Sequence, residues 1–197
     1  VKLEWDTIRS KVAWNGRFPV LVDEIRAVHD AREMSYTYLG IGSGAVVVLA
    51  LDDEDHAICV RQYRHPMRQV VLELPAGHVD HGEDPIMAAY REFEEETGLQ
   101  VRHLEHLGSY VPMPSLADFS MHMYFGHTLM PGQQQLDDTE LLEIERVPIG
   151  KLQSAIITGT EPAVSMTYTV LLAAARGLLP AKDQHAGHQS QNPEFDD

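Results

Sequence analysis

The sequence predicts a mixed α/β domain organised around a central sheet, and three observations predict it. The uninterrupted apolar run from Gly44 to Leu51 has the composition of a strand buried on both faces. A helix with a clear start, Asp84-Pro85, and a clear stop, Gly98, follows the next strands. Beyond it, strand-like segments give way to helical ones, so the order of elements is mixed rather than all-α or all-β.

Taken in order, residues 1–40 alternate apolar and polar positions, and Asn15-Gly16 signals a two-residue hairpin between strands near 7–13 and 18–28. After the buried run come an acidic turn at Asp52 to Asp55, a strand at 57–63 and a shorter one from Val70 to Leu74. That strand must stop at Pro75-Ala76-Gly77, where a loop begins. In the helix, Ile86, Ala89, Tyr90 and Phe93 recur at helical spacing and form the face that docks on the sheet. Strands at 101–111, 120–129 and 141–147 follow, then helices at 149–157 and 163–178. From Pro180 the chain is polar and predicts a mobile tail. The expected organisation is an N-terminal β subdomain at 1–40, a main domain at 41–179 and a tail at 180–197, with no internal repeat.

Composition narrows the function. A chain of 197 residues with 44% hydrophobic content supports one main domain. With 15 basic and 30 acidic side chains, a net charge of -15 disfavours nucleic acid as a partner, and an anionic substrate would need a local positive feature such as a bound metal. The lone Cys59 excludes an internal disulfide framework and a Cys-rich zinc site, reads as a buried structural thiol, and fits a cytoplasmic setting. Without a long apolar span or a secretory leader pattern, no membrane partner is expected.

The informative stretch is Gly77 to Leu99. Glu92, Glu95 and Glu96 stand at i, i+3 and i+4, within an arc of about 100° on a face distinct from the apolar one. Their mutual repulsion is reversed by a cation, and hard carboxylate oxygens suit Mg²⁺ or Mn²⁺. Glu94, by its phase, belongs to a solvated face. Three glutamates alone would read as such a face too. Their fixed surroundings decide otherwise: Gly77, five residues, Glu83, seven residues, Arg91-Glu92-Phe93, one residue, Glu95-Glu96, one residue, Gly98-Leu99.

This pattern resembles the Nudix box, complete and without substitution. The resemblance implies an α/β/α sandwich with a mixed central sheet, here carrying an N-terminal antiparallel β-hairpin subdomain, and a hydrolase acting on a nucleoside diphosphate linked to another moiety. It implies metal ligation by Glu92 and Glu96, with Glu95 as a further or shared ligand, the Ala76 carbonyl as another, and Gly77 as a turn residue. Arg91 is an orienting partner that forks onto a carboxylate such as Glu73 or Glu95. Glu83 either reaches the metals or braces the loop.

A narrower resemblance, to the ADP-ribose pyrophosphatase branch, rests on Gln62-Tyr63-Arg64, on Glu73-Leu-Pro-Ala-Gly77 and on Pro114 beyond the box. It implies that Arg64 contacts a phosphate or ribose, that Pro114 shapes a loop over the nucleoside, and that the protein is a homodimer. The chain departs from the branch at Met113 to Phe119, which lacks the usual Gly and following Glu. The catalytic base is expected in the acidic loop Asp137-Asp138-Thr139-Glu140, with Glu140 first and Glu143 and Asp118 behind it. His78 and His81 read as solvated loop residues. Trp5 and Trp14 either stack an adenine, in their own or a second subunit, or form hairpin or interface core. The competing readings are a Nudix hydrolase of a dinucleoside polyphosphate or oxidised nucleotide, and a silent ADP-ribose-binding module.

Overall fold

The computed structural model describes residues 2–136, 140–160 and 163–180. The expected tail from 181 onward, and Asp137 to Thr139 of the acidic loop, lie outside the described residues.

A three-stranded antiparallel sheet comes first, in the order β1 (Trp5–Trp14), β2 (Val20–Ala27), β3 (Glu33–Leu39). The alternation of residues 1–40 predicts only the hairpin, and the third strand is added by the structure. β3 escapes that prediction because the turn before it is made without glycine: Ala31 takes φ 59°, and Ala27 N–H donates to the Arg32 carbonyl at 2.8 Å. The two-residue Asn-Gly turn is also corrected. Trp14 pairs with Val20, so the connection runs from Asn15 to Pro19. Pro19 has no N–H to give the ladder, and the Trp14 ring folds over Gly16, where any Cβ would overlap it.

The main sheet has seven strands. Its path is β10 (Leu142–Pro148), β5 (His56–Arg64), β4 (Ala45–Leu51), β9 (Met121–Pro131), β8 (Leu99–Tyr110); β6 (Gln69–Glu73) pairs with β5 and β7 (Ala76–His78) with β4. β4 and β9 are parallel, and the other pairs are antiparallel. Every residue of β4 is buried, and its side chains alternate between two cores. Val46, Val48 and Ala50 meet Ala88, Ala89 and Phe93 of α1 (Pro85–Thr97). Val47, Leu49 and Leu51 meet Leu152 and Ile156 of α2 (Ile149–Thr158) and Met166, Val170 and Ala173 of α3 (Val164–Ala175). The layers are thus helix, mixed sheet, helices. Among the described residues no helix is long and apolar enough to cross a membrane.

β7 was expected to be loop. It is strand because the chain beyond Pro75 turns back along β4: Val48 N–H donates to the Pro75 carbonyl and Val79 N–H to the Gly44 carbonyl, each at 2.9 Å. This short ladder brings Ala76 and Gly77 beneath α1. Phe93, fully buried in the apolar cluster between α1 and β4, is the bolt between α1 and the sheet. Phe93→Ala is expected to destabilise the fold by about 3–5 kcal/mol, read from urea unfolding.

Candidate active site

Local chemistry sets α1 in place. Asp84 caps its start by accepting from Ile86 N–H at 3.1 Å, Pro85 presets the first turn, and Gly98 at φ 65° ends it with its N–H on the Glu94 carbonyl. Tyr90, from the docking face, accepts the Leu104 N–H at 3.1 Å.

The face above Ala76 and Gly77 carries a nest of carboxylates. Glu96 is only 3% exposed, and its Oε2 accepts the Ala76 N–H at 3.1 Å. Burial, reinforced by the charges of Glu140 and Glu92, lifts its carboxyl from the ordinary 4.5 to about 8, against the pull of the Ala76 N–H and of Arg64. Glu92 is also pushed up, first by burial and then by Glu95 and Glu140, while Arg91 opposes the shift. A Cβ on Gly77 would overlap the Glu92 carboxylate. Gly77 therefore serves as a site of close approach and not as a turn residue, since it sits in β7 and is not among the glycines at positive φ.

Arg91 organises the surroundings. Its Nε and Nη2 grip both oxygens of Glu83 at 3.0 and 2.8 Å, Nη1 donates to Glu92 at 2.8 Å and Glu95 at 3.1 Å, and Nη2 also reaches the His78 carbonyl at 3.0 Å. Glu83, held well below its usual range first by Arg91, also accepts the Asp80 N–H at 3.0 Å, so it braces the loop. Of the partners expected for Arg91, Glu95 is one and Glu73 is not. Glu73 instead binds Arg64, Oε2 to Nε at 2.7 Å, because both project from the same face of the β5–β6 pair.

The other expected residues are placed as follows. Glu140 stands close enough to Glu92 and Glu96 for its charge to raise both. Asp118 is committed elsewhere, its Oδ1 accepting the Ile41 and Gly42 N–H at 2.6 and 3.0 Å. Glu143 lies opposite Arg61 on β10, on the sheet face away from Arg64 and Glu73. Pro114 stands in the exposed turn from Met113 to Leu116, which is tied to β3 by the Tyr36 hydroxyl on the Ser115 carbonyl at 2.7 Å and by Leu39 N–H on the Leu116 carbonyl at 2.8 Å.

Three readings need correction. Glu94 is half-buried and accepts hydrogen bonds from Gln133 N–H and Gln100 Nε2, both beyond the end of its helix, contacts that helical phase cannot reveal. His78 is half-buried, its ring 5.3 Å from that of Phe18, and its pKa is lowered by burial and then by Arg17. Trp5 and Trp14 are 42% and 61% exposed, which excludes the hairpin-core reading alone and not the stacking or interface ones. Sequence reasoning also missed a cleft of about 540 Å³ on the far side of the box loop, lined by Arg17, Phe18, Ile41, His78, Asp80 and His81.

As they stand, no three acidic or histidine side chains among the described residues are in metal-holding geometry. The donor set nevertheless fits a hard divalent cation: carboxylates pushed to hold protons by burial, and then by one another's charge, are relieved by such an ion.

Residues 42–167 match the NUDIX domain family. The chain belongs to the Nudix hydrolases. It is similar to the methanol dehydrogenase activator of Bacillus methanolicus, 33% identical over 144 residues that cover 72% of this chain and 77% of that protein. It is also similar to the ADP-ribose pyrophosphatase of Bacillus subtilis, 36% identical over 108 residues that cover 54% and 58%. The crystal structure of an ADP compounds hydrolase superposes with a TM-score of 0.79 at 21% identity, covering 89% of this chain and 96% of that one, a likeness of fold. This Nudix chain is a pyrophosphatase-type hydrolase that resembles the ADP-ribose pyrophosphatases.

Two tests follow from the nest. Folded Glu96 keeps its proton to about pH 8 and unfolded Glu96 loses it near 4.5, so the folded chain binds the extra proton between those values. Its contribution to stability is present in full below about pH 4.5 and declines as pH rises toward 8. In metal-free protein, Glu96→Gln should flatten this decline in thermal unfolding curves. Gly77→Ala should displace Glu92 and lower kcat by about ten-fold or more while circular dichroism stays native-like.

Proposed function

We propose that this protein hydrolyses the diphosphate linkage of ADP-ribose or a related nucleoside diphosphate sugar, releasing a nucleoside monophosphate and a sugar phosphate. The observation that carries the reading is the convergence of Glu92 and buried Glu96, whose carboxyls are pushed up first by burial and then by neighbouring charge that includes Glu140, with Arg64 in electrostatic reach of Glu96.

Glu92 and Glu96 are the principal candidates to hold Mg²⁺, or Mn²⁺, with Glu95 and the Ala76 carbonyl at the margin. When bound, the metal supplies charge neutralisation for the diphosphate and acidifies a water. Glu140 takes the proton from the attacking water, as a general base must from within hydrogen-bond reach. Arg91 keeps Glu92 and Glu95 oriented through Nη1. Arg64, steered by Glu73, leaves part of its guanidinium open to a phosphate or ribose oxygen. The cleft beside the box loop supports a nucleoside arm, since the Phe18 and His78 rings offer stacking area and Arg17 a cation over Phe18. The exposed Trp5, Ile8, Val12 and Trp14 on β1 support a homodimer.

The test is a substrate panel in Mg²⁺ containing ADP-ribose, a dinucleoside polyphosphate and an oxidised nucleoside triphosphate. ADP-ribose should yield AMP and ribose 5-phosphate. Turnover of the triphosphate with ADP-ribose left intact would reject the substrate class, and no turnover of any member would favour a silent binding module. Glu96→Gln should reduce kcat by about a thousand-fold, the several kcal/mol that metal-held charge provides.

A further inference from the structure

The connection from β3 to β4 lines the cleft with Gly40, Ile41, Gly42 and Ser43, and it is also the link between the two sheets. Arg17, Phe18 and Pro19 line the cleft from the β1–β2 connection of the N-terminal sheet, and His78 to His81 line it from the box loop. The link is tied to each of these. Gly40 N–H donates to the Pro19 carbonyl at 3.0 Å, and Val79 N–H donates to the Gly44 carbonyl at 2.9 Å. The course of residues 40–44 therefore sets how far Phe18 stands from His78.

Between those ties the link makes a tight turn. Ser43 N–H donates to the Ile41 carbonyl at 2.7 Å across Gly42 at φ 69°, a three-residue turn of the strained hand. A Cβ on Gly42 would meet nothing within 4 Å, so no side chain packs over the turn there. A carboxylate holds it instead. Asp118 Oδ1 accepts Ile41 N–H at 2.6 Å and Gly42 N–H at 3.0 Å, bonds of the stronger, charge-assisted kind. Asp118 is itself fixed by backbone: its N–H donates to the Leu39 carbonyl at 3.4 Å, Leu39 and Ala117 form a parallel bridge, and Ala45 N–H donates to the Ser120 carbonyl at 2.8 Å. The two stretches run side by side, joined at their ends through backbone and in the middle through this one side chain.

We propose that Asp118 is a positioning residue for substrate binding: by holding the turn at Ile41 and Gly42 it sets the width of the cleft and so the grip on the nucleoside arm. The inference rests on the reading of the cleft as the nucleoside site. Without the acceptor, the two amides turn toward water and the strained turn relaxes. Glu92, Glu96 and Arg91 are not among the partners of Asp118, so the loss falls on binding and not on the chemical step.

The test joins steady-state kinetics in Mg²⁺, with ADP-ribose or the panel member that is turned over, to calorimetric binding of AMP and of ribose 5-phosphate. Asp118→Ala should raise KM by about ten-fold with kcat within about two-fold. It should weaken AMP by a similar factor and leave ribose 5-phosphate unchanged, a split that a general loss of structure would not give. Asp118→Asn, which keeps an acceptor oxygen, should restore most of the affinity. Gly42→Ala strains the same turn from the other side of the bond, should weaken AMP in the same direction, and carries the test if Asp118→Ala does not fold. Phe18→Ala serves as the control for the cleft itself. If it weakens AMP while Asp118→Ala does not, or if Asp118→Ala lowers kcat at unchanged KM, the proposal is overturned and the cleft stands as the nucleoside site. Wild-type AMP affinity in Phe18→Ala overturns the cleft reading and the proposal with it.

Discussion

Carboxylates crowded onto one face of a short helix repel one another, and the Arg91 guanidinium is what holds this arrangement together. It grips Glu83 with two nitrogens and Glu92 and Glu95 with the third, and it reaches the His78 carbonyl as well. Because Glu83 also takes the Asp80 N–H, the loop before α1 is fastened to the middle of α1 through one side chain. That fastening keeps Gly77 against Glu92 and Ala76 against Glu96. An ammonium in place of the guanidinium has a single nitrogen and cannot serve these partners in their plane at once.

What the sequence made legible, and what it did not, divides along the range of the interactions. The caps of α1 at Asp84 and Gly98, its docking face through Ala89 and Phe93, and the doubly buried β4 are local patterns, and each stands where periodicity and capping chemistry put it. The spacing from Gly77 to Leu99 revealed which carboxylates gather. It could not say that Glu73 belongs to Arg64, since that pairing depends on the β5–β6 register, or that Glu94 faces Gln133, since that depends on where β9 ends. The Asn15-Gly16 turn failed for another reason: a strong local signal lost to Pro19 and to the Trp14 ring.

Charge tells a related story. A chain of net charge -15 meets an anionic substrate only where cations remain available. Arg91 is surrounded by carboxylates, so its charge is spent within the protein. Arg64 is bound to Glu73 by a single nitrogen and 42% exposed, and Arg17 lies over Phe18 at the mouth of the cleft. Arg64 acts on the nest and Arg17 lines the cleft, so positive charge persists at both places in a chain whose overall composition conceals it.

The N-terminal sheet has an architectural consequence. β1 forms one edge of that sheet, and its ladder with β2 slips between Thr7 and Arg9 and again between Val12 and Trp14. Such irregularities disrupt the straight row of amides and carbonyls that another strand would need for zipping alongside. Its side chains, by contrast, offer indole and aliphatic surface to whatever lies above or below. Sticking through this element is thereby biased toward flat, face-to-face contact that saturates, and away from edge-wise growth into fibrils.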